Sequence, residues 1–163
     1  MTNRYDLIKI QEKLQKKLTP DRYQHTLGVM YTCAALAMCH GCNLERAMVA
    51  GLLHDCAKCI PNDKKISICE KNNIAITEAE RKNPSLLHAK AGVFLAKSKY
   101  DIEDEDILDA IRYHTTGNVD MTLLQKITYL ADYIEPWRNK ATNLPAIRLQ
   151  NWQFLLWAGQ MLS

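Results

Sequence analysis

The sequence has no long apolar run, and none of its hydrophobic stretches approaches the roughly 18 residues that a membrane-spanning helix needs. The first residues, Met1 to Asp6, lack the apolar core of a secretory signal. An excess of one charge is also missing, because 21 Lys and Arg stand against 18 Asp and Glu, a net charge of +3. So small an excess does not favour nucleic acid as a partner. We therefore expect a cytoplasmic protein that binds neither membranes nor nucleic acid.

Strand-like alternation, internal repeats, low-complexity tracts and long linkers are absent as well. Aromatic residues are few, at 7%, but 47% of the 163 residues are apolar, which excludes a disordered or fibrous chain. The apolar residues recur with the 3.6-residue period of amphipathic helices, and capping residues such as Thr19 and Asn43 stand between the periodic segments. The sequence therefore predicts one all-α domain.

Six cysteines are present, and four of them form two CxxC pairs, Cys39/Cys42 and Cys56/Cys59, with a spacing that also occurs in zinc ribbons. The residues between the pairs predict a helix, which would hold the pairs about 20 Å apart. Disulfides are disfavoured in a reducing compartment. We interpret most of the cysteines as small apolar residues, with a four-cysteine zinc site as the minor alternative.

His54 and Asp55 are adjacent near the end of a predicted apolar helix. Helical neighbours differ by about 100° around the axis, so two side chains of unequal length can converge on one cation beside the helix. An imidazole and a carboxylate suit a first-row transition metal. Lys58 follows one turn later on the same side, where an ammonium group would neutralise phosphate. The structural alternative is a buried ion pair that only stabilises the helix.

Further histidines and an aspartate lie at the edges of other predicted apolar faces. They fall on four separate predicted helices and are His25, His88, His114 and Asp132. One such residue is usually a hydrogen-bonded polar group of the core. Five helices that each contribute a histidine or an aspartate instead predict a metal site between the helices of a bundle. His40, beside Gly41 at a predicted helix end, is interpreted as an exposed capping residue.

The ordered pattern of His25, His54-Asp55 and Asp132 resembles the signature of the HD-domain metal-dependent phosphohydrolases. Five segments resemble one branch more closely, the YqeK-type symmetrical diadenosine tetraphosphate hydrolases. These segments are Arg22-Tyr-Gln-His-Thr-Leu-Gly28, Gly51-Leu-Leu-His-Asp-Cys-Ala-Lys58, Arg81-Lys-Asn-Pro-Ser-Leu-Leu-His88, Ala110-Ile-Arg-Tyr-His-Thr-Thr-Gly117 and Tyr129-Leu-Ala-Asp-Tyr-Ile-Glu-Pro136. The resemblance spans residues 19–138 and implies an HD-domain helical bundle with a metal site between its helices.

The resemblance also implies an activity and a cofactor. The activity is metal-dependent cleavage of diadenosine tetraphosphate, and of similar dinucleoside polyphosphates, symmetrically into two nucleoside diphosphates. The implied cofactor is a di-iron centre, and the ligand types also suit manganese or another divalent transition metal. Substrate or nucleoside diphosphate product is the implied bound partner.

Site residues are assigned by the same resemblance. The first metal would be held by His25, His54, Asp55 and Asp132. A second metal would be held by His88 and His114. Substrate phosphates would be bound by Arg22, Lys58, His88, His114, Thr115 and Arg138. The implied catalytic residues are Asp55, Lys58 and His88.

Two other functions remain open at this point. One is another HD-type nucleotide phosphohydrolase, either a nucleotidase or a phosphodiesterase, and the other is a non-catalytic nucleotide-binding module. Lys58-Cys59 stands where alarmone hydrolases of the superfamily carry Glu-Asp. The Gly-Tyr-Pro of the cyclic dinucleotide phosphodiesterases is missing. Neither of these two HD-type activities is therefore favoured.

The end of the chain departs from the resemblance, because no charged residue follows Arg148. We expect the HD domain to span residues 1–148 and residues 149–163 to form an uncharged apolar tail that is atypical for the family. Such a tail would pack on a groove of the core or on a partner chain, and a homodimer is one arrangement that would bury it.

Overall fold

The computed structural model describes residues 4–138 and 144–150. Within these ranges the chain is helical and contains no strand, so the predicted all-α fold is confirmed. The α-helices are α1 (Leu7–Gln15), α2 (Pro20–His40), α3 (Leu44–Leu53), α4 (Asn62–Lys71), α5 (Glu78–Lys82), α6 (His88–Tyr100), α7 (Glu105–Tyr113) and α8 (Leu123–Ile134). A short 3₁₀ helix at Pro84–Leu87 precedes α6, and residues 144–150 are also helical.

The predicted capping residues begin the helices that they were expected to begin. The side chain of Thr19 accepts a hydrogen bond from the backbone N–H of Arg22, and Asn43 caps α3 in the same way. Gly41 ends α2 in the left-handed conformation, with φ of 69°, which costs glycine little. Local sequence therefore fixes where the two central helices start and where the first of them stops.

The core lies between two pairs of helices. The first pair is α2 and α3 and the second is α7 and α8, and the two pairs pack against each other. Side chains of these four helices that are almost fully buried include Met30, Leu52, Leu53, Leu108, Ile111 and Leu124. No helix in the described ranges combines the length and the apolar character that a membrane span requires. The site residues lie where the two pairs meet.

Three predicted helix boundaries are wrong, and each error concerns a site histidine; the largest is at α3, which was expected to reach Pro61. The helix α3 ends at Leu53, so His54 and Asp55 lie in the turn that follows it. This turn continues with bonds between residues three apart, such as the bond from the Lys58 N–H to the Asp55 carbonyl, at 2.9 Å. The pattern after Asn83-Pro84 predicts His88 in the second turn of a helix, but His88 is the first residue of α6, and His114 follows the last residue of α7.

Candidate metal centre

Four histidines from distant parts of the sequence meet in the interior. His54, His88 and His114 are at most 3% exposed, and His25 on α2 is 9% exposed. The Nε2 atoms of His25 and His54 are 3.4 Å apart, and those of His88 and His114 are 3.1 Å apart. The structure therefore brings together all four histidines that the sequence singled out.

The Nδ1 atom of each imidazole faces a fixed hydrogen-bond acceptor. His54, His88 and His114 each face the backbone carbonyl three residues earlier, at 2.7, 2.6 and 2.7 Å. In the case of His54 and His114, that carbonyl is one of the last in α3 or α7, where no intrahelical partner is available. His25 lies in the middle of a helix, and its Nδ1 atom instead faces Glu135 Oε1 at 3.0 Å.

These acceptors determine which nitrogen of each ring carries the proton. A carbonyl oxygen cannot donate, so in the neutral imidazole Nδ1 holds the hydrogen and Nε2 presents a lone pair. The Nε2 lone pairs of His54, His88 and His114 and the Nε2 atom of His25 then face one another in a buried space. This arrangement is unfavourable without a cation between them, and it is the arrangement in which metal-binding histidines are usually held. The donor set therefore fits a divalent transition metal.

Asp55 lies between the two histidine pairs and serves both. Its Oδ2 atom is 3.9 Å from His25 Nε2 and 3.5 Å from His54 Nε2. Its Oδ1 atom is 3.2 Å from His88 Nε2 and 3.5 Å from His114 Nε2, and finds no hydrogen-bond partner among the described residues. Two compact groups result, each able to hold an ion, and Asp55 belongs to both. A buried carboxylate oxygen without a partner is costly unless a cation completes its surroundings.

Asp132 on α8 stands beside the first of these groups. Its Oδ1 atom is 3.1 Å from His25 Nε2 and 3.7 Å from His54 Nε2. Arg138 donates to the same oxygen from 2.7 Å. Burial alone would raise the pKa of Asp132, but His25, His54 and Arg138 together hold that pKa well below its ordinary range, so the group is a carboxylate.

The pKa values of the other groups in the cluster are also displaced. Burial would raise the pKa of Asp55, but His54, His114 and His88 hold it well below its usual value. Burial would lower the pKa of His25, and the hydrogen bonds with Asp132 and Glu135 outweigh that effect and raise it. At His88 the effect of burial is larger than the opposing effect of Asp55, so the pKa of His88 is lowered. The histidine pKa is therefore raised on the Oδ2 side of Asp55, at His25, and lowered on the Oδ1 side, at His88.

A cavity of about 290 Å³ opens directly over the cluster. Its lining residues are Arg22, Asp55, Lys58, His114, Thr115, Tyr129, Asp132, Tyr133 and Arg138. Five of the six residues predicted to bind phosphate therefore line one cavity. The sixth, His88, is buried just beneath it, where Lys58 Nζ is 3.3 Å and Thr115 Oγ1 is 3.2 Å from its Nε2 atom.

The basic residues connect the cavity to the acidic cluster. Arg22 Nη1 donates to Asp55 Oδ2 from 2.8 Å, as Arg138 donates to Asp132. Three cationic side chains, the buried carboxylate of Asp55, the half-buried carboxylate of Asp132 and four imidazoles make a site that accepts both a metal and an anion. Such a combination suits phosphoryl chemistry, in which a metal and cationic groups share the charge of the phosphates.

Sequence reasoning missed three residues of this site. Tyr129 and Tyr133 line the cavity, and Glu135 is 1% exposed and faces His25. Glu135 carried a signal, since an acidic residue at the end of an apolar helix opposes the helix dipole and needs another reason to be there. Tyr129 stands three residues before Asp132 and so shares its helix face.

The cysteines take no part in the two groups of ligands. Cys33, Cys56 and Cys69 are buried, whereas Cys39 and Cys59 are exposed. Burial raises the pKa of the Cys56 thiol to about 12, which keeps it protonated. Among the described residues, the groups able to hold a metal ion consist of histidine and aspartate. This composition favours the His and Asp site over the zinc-ribbon alternative.

Two curated bacterial proteins are similar to this chain in sequence. A symmetrical bis(5′-nucleosyl)-tetraphosphatase of Bacillus subtilis (strain 168) is 43% identical over 125 residues, covering 77% of this chain and 67% of that protein. A protein of the same description from Halalkalibacterium halodurans is 45% identical over 122 residues, covering 74% of this chain and 64% of that protein. The chain thus spans about two thirds of the length of these curated relatives.

A solved structure agrees with these relatives. It is a crystal structure from Clostridium acetobutylicum, described as a predicted HD superfamily hydrolase involved in NAD metabolism. The TM-score is 0.86 at 42% identity, over 94% of this chain and 81% of that one. The family model of the HD domain matches residues 22–137, a range that includes Arg22 and all the histidines and aspartates of the cluster. The resemblance seen in the sequence is confirmed, and the chain belongs to the HD domain family, in the branch of the symmetrical bis(5′-nucleosyl)-tetraphosphatases.

Proposed function

We propose that this chain is a metal-dependent hydrolase that cleaves diadenosine tetraphosphate, and similar dinucleoside polyphosphates, into two nucleoside diphosphates. The observation that carries the proposal is the convergence of four imidazole Nε2 atoms and Asp55 beneath a cavity walled by Arg22, Lys58 and Arg138. The relatives with that described activity support the choice of substrate.

Two metal positions are part of the proposal, with iron as the cofactor. His25, His54, Asp55 and Asp132 would hold one ion, and His88 and His114 would hold a second with Asp55 shared between them. When bound, a divalent metal supplies a Lewis acid and activates water at neutral pH. Manganese or another divalent transition metal would suit the same nitrogen and oxygen donors.

The chain's own residues bind and orient the polyphosphate. Arg22, Lys58 and Arg138 carry three positive charges around the cavity, where they would neutralise the phosphate chain. The Thr115 hydroxyl lies 3.0 Å from His114 Nε2 and 3.2 Å from His88 Nε2, so it can hydrogen-bond an oxygen near the second position. Lys58 lines the cavity, and its Nζ atom lies 3.3 Å from His88 Nε2 and 3.9 Å from Asp55 Oδ1. We assign it the role of stabilising charge that develops on the leaving diphosphate.

The direct test is to incubate the purified chain with Fe²⁺ or Mn²⁺ and diadenosine tetraphosphate under reducing conditions, and to separate the products by chromatography. ADP as the only nucleotide product supports the proposal. ATP together with AMP would contradict symmetric cleavage. Turnover of simple nucleotides but not of the dinucleotide would favour a nucleotidase. Binding of the dinucleotide without turnover would favour a non-catalytic module. Asp55→Asn is the matched inactive control, because it keeps the side-chain shape and removes the shared charge.

A further inference from the structure

A second and larger cavity, of about 1010 Å³, lies on the opposite side of the turn that carries Asp55 and Lys58. Lysines from three helical regions surround it, and we call it the lysine groove. Its lysines are Lys13, Lys16, Lys17, Lys64, Lys71 and Lys99. Among the residues that the structure describes, no Asp, Glu or Arg side chain lines this cavity, so the described surroundings carry charge of one sign.

The lysines of the groove lack the acidic partners that four of the seven other described lysines have. Within residues 4–138 and 144–150, none of the six forms an ion pair with a carboxylate. Outside the groove, Lys58, Lys82, Lys90 and Lys97 do form such pairs. Like charges collected around one concavity without acidic partners repel one another. An anionic partner would relieve that repulsion.

The floor of the groove is apolar. It is formed by Cys56, Ile60, Ile68, Phe94 and Leu95, and the last four of these are half-buried. Half-buried apolar side chains at the bottom of a cavity remain partly in contact with water, and covering them is favourable. A purely ionic ligand such as inorganic polyphosphate would leave this floor uncovered. The groove therefore fits a partner that is apolar on one side and acidic at its edges.

The walls of the groove are separate helices. The helix α1 packs on α2 and α3, whereas α4 packs on α6 and on the 3₁₀ helix. Lys16 and Lys17 follow the end of α1, and Lys64 and Lys71 lie on α4. An apolar floor between two helical regions that both present lysines is the geometry in which a further helix can lie.

The aromatic side chains do not favour a nucleic acid strand. Single strands bind basic grooves by stacking bases on exposed aromatic faces. Lys13 Nζ, which donates to the Lys99 carbonyl, lies over the Tyr100 ring 5.4 Å from its centroid, so one face of that ring is covered. The rest of the floor is aliphatic apart from Phe94. A membrane surface is disfavoured too, because it cannot enter a concave groove.

We infer that the lysine groove binds an acidic amphipathic helix of a partner protein, with the apolar stripe of that helix on the floor and its carboxylates between the two rows of lysines. The inference is independent of the proposed hydrolase activity. Since Cys56 and Cys59 face the groove while Asp55 and Lys58 face the catalytic cavity, the partner would contact the back of the same turn.

The test uses the full chain and a synthetic helical peptide of about 15 residues, with Leu at helical spacing and Glu on both flanks of the Leu stripe. Fluorescence anisotropy of the labelled peptide measures the dissociation constant. We expect saturable binding that weakens as salt is added. The double variant Lys16→Glu and Lys64→Glu, with one reversal on each wall, should weaken binding by at least about tenfold.

The matched control is the double variant Lys9→Glu and Lys126→Glu, which makes the same change in net charge at exposed positions outside the groove. Melting temperatures establish that both variants are folded. Equal weakening in the two double variants would overturn the inference, as would absence of binding. Equally tight binding of a peptide with the same composition but scattered Leu residues would also overturn it, and so would a single-stranded oligonucleotide that binds the groove when the peptide does not.

Discussion

At the scale of single residues, the centre depends on a partner for each ring nitrogen that does not point inward. Glu135 is the partner of His25, and it also accepts a hydrogen bond from the Trp137 N–H at 2.7 Å. A carboxylate behind a metal-binding histidine fixes the ring and makes it a stronger base. The pKa of His25 is raised in part for this reason. Glu135 is therefore a positioning residue of the proposed first metal position.

Replacing Glu135 by Gln keeps the side-chain shape and removes the charge behind His25. We expect metal affinity, measured by calorimetric titration with Mn²⁺, to fall by about 10- to 100-fold, in the range for loss of such a partner. Glu103→Gln is the control, because the Glu103 side chain is 86% exposed and its ion pair with Arg4 is long, at 3.9 Å. An unchanged affinity in Glu135→Gln would show that His25 needs no such support.

Lys58 permits a test of chemistry against stability. Its ammonium group is 3.3 Å from His88 Nε2 and 3.9 Å from Asp55 Oδ1, and the side chain is 35% exposed. We expect Lys58→Met to leave the melting temperature of the metal-free protein level or higher. We expect kcat/KM to fall by about 10²-fold or more, as for loss of one electrostatic stabiliser of a transition state. A destabilised variant with full activity would instead identify Lys58 as a structural ion-pair partner of Asp55.

The site residues were largely predictable because the histidines and aspartates lie at the borders of apolar helical faces. His25, His54, Asp55, His88, His114 and Asp132 do lie together, and Arg22, Lys58, Thr115 and Arg138 line the cavity or its edge. Their individual roles remain predictions. Glu135 was missed because its partner is 110 residues away in sequence, and periodicity within a helix carries no information on such a contact.

At the scale of elements, the helix ends place the functional groups. His54 and His114 follow the last residues of α3 and α7, and His88 follows the 3₁₀ helix. The sequence predicted that these helices exist but placed His54 and His114 inside them. The error arises because turns with bonds between residues three apart have a spacing close to that of an α-helix. Periodicity does not distinguish a final helical turn from the tighter turn that follows it.

The start of α7 carries a pH-dependent contribution to stability. Asp104 caps α7, accepting from the backbone N–H groups of Asp106 and Ile107, and Arg46 donates to it from 2.6 Å. Burial would raise the pKa of Asp104, but Arg46 and these backbone groups lower it below the ordinary value of 3.8. A carboxyl group whose pKa is lower in the folded state stabilises above its unfolded pKa, and this stabilisation is lost as pH falls through the folded pKa.

We therefore expect Asp104→Asn, which keeps the cap but removes the charge, to be less stable than the original chain near pH 7. The difference should be about 0.5 to 1 kcal/mol, since the pair is partly exposed. It should shrink as the pH falls below about 4, because the Asp104 carboxyl of the original chain is then protonated and its ion pair with Arg46 is lost. Urea unfolding at several pH values measures it, and a difference that grows at low pH would contradict the assignment.

At the scale of the whole molecule, the candidate centre joins elements that are far apart in the chain. Its residues come from α2, α6, α8, the turn after α3 and the end of α7. An ion bound there contacts the folded state only, so it stabilises that state by mass action. The expected domain of residues 1–148 and the apolar tail remain predictions, and residues 151–163 lie outside the described ranges.

We expect Mn²⁺ at about 100 times its dissociation constant to add about 2.7 kcal/mol of stability, and so to raise the melting temperature by about 5 to 10 °C. A chelator should reverse the shift, which differential scanning fluorimetry measures without any assay of activity. The variant Cys39→Ser and Cys59→Ser, at two exposed positions, should show the same shift. Loss of the shift in that variant would revive the zinc-ribbon alternative.

The two ways of holding the imidazoles have a consequence for how the protein assembles. Three rings take their Nδ1 acceptor from the carbonyl three residues back, so their orientation is available as soon as each short turn forms. The fourth ring, His25 on α2, has no Nδ1 acceptor until Glu135 is in place, and Glu135 is one of the last residues of the matched domain to be synthesised. A nascent chain that has not yet docked the end of α8 therefore offers an incomplete centre. Tight loading is thus reserved for molecules in which Glu135 has docked behind His25.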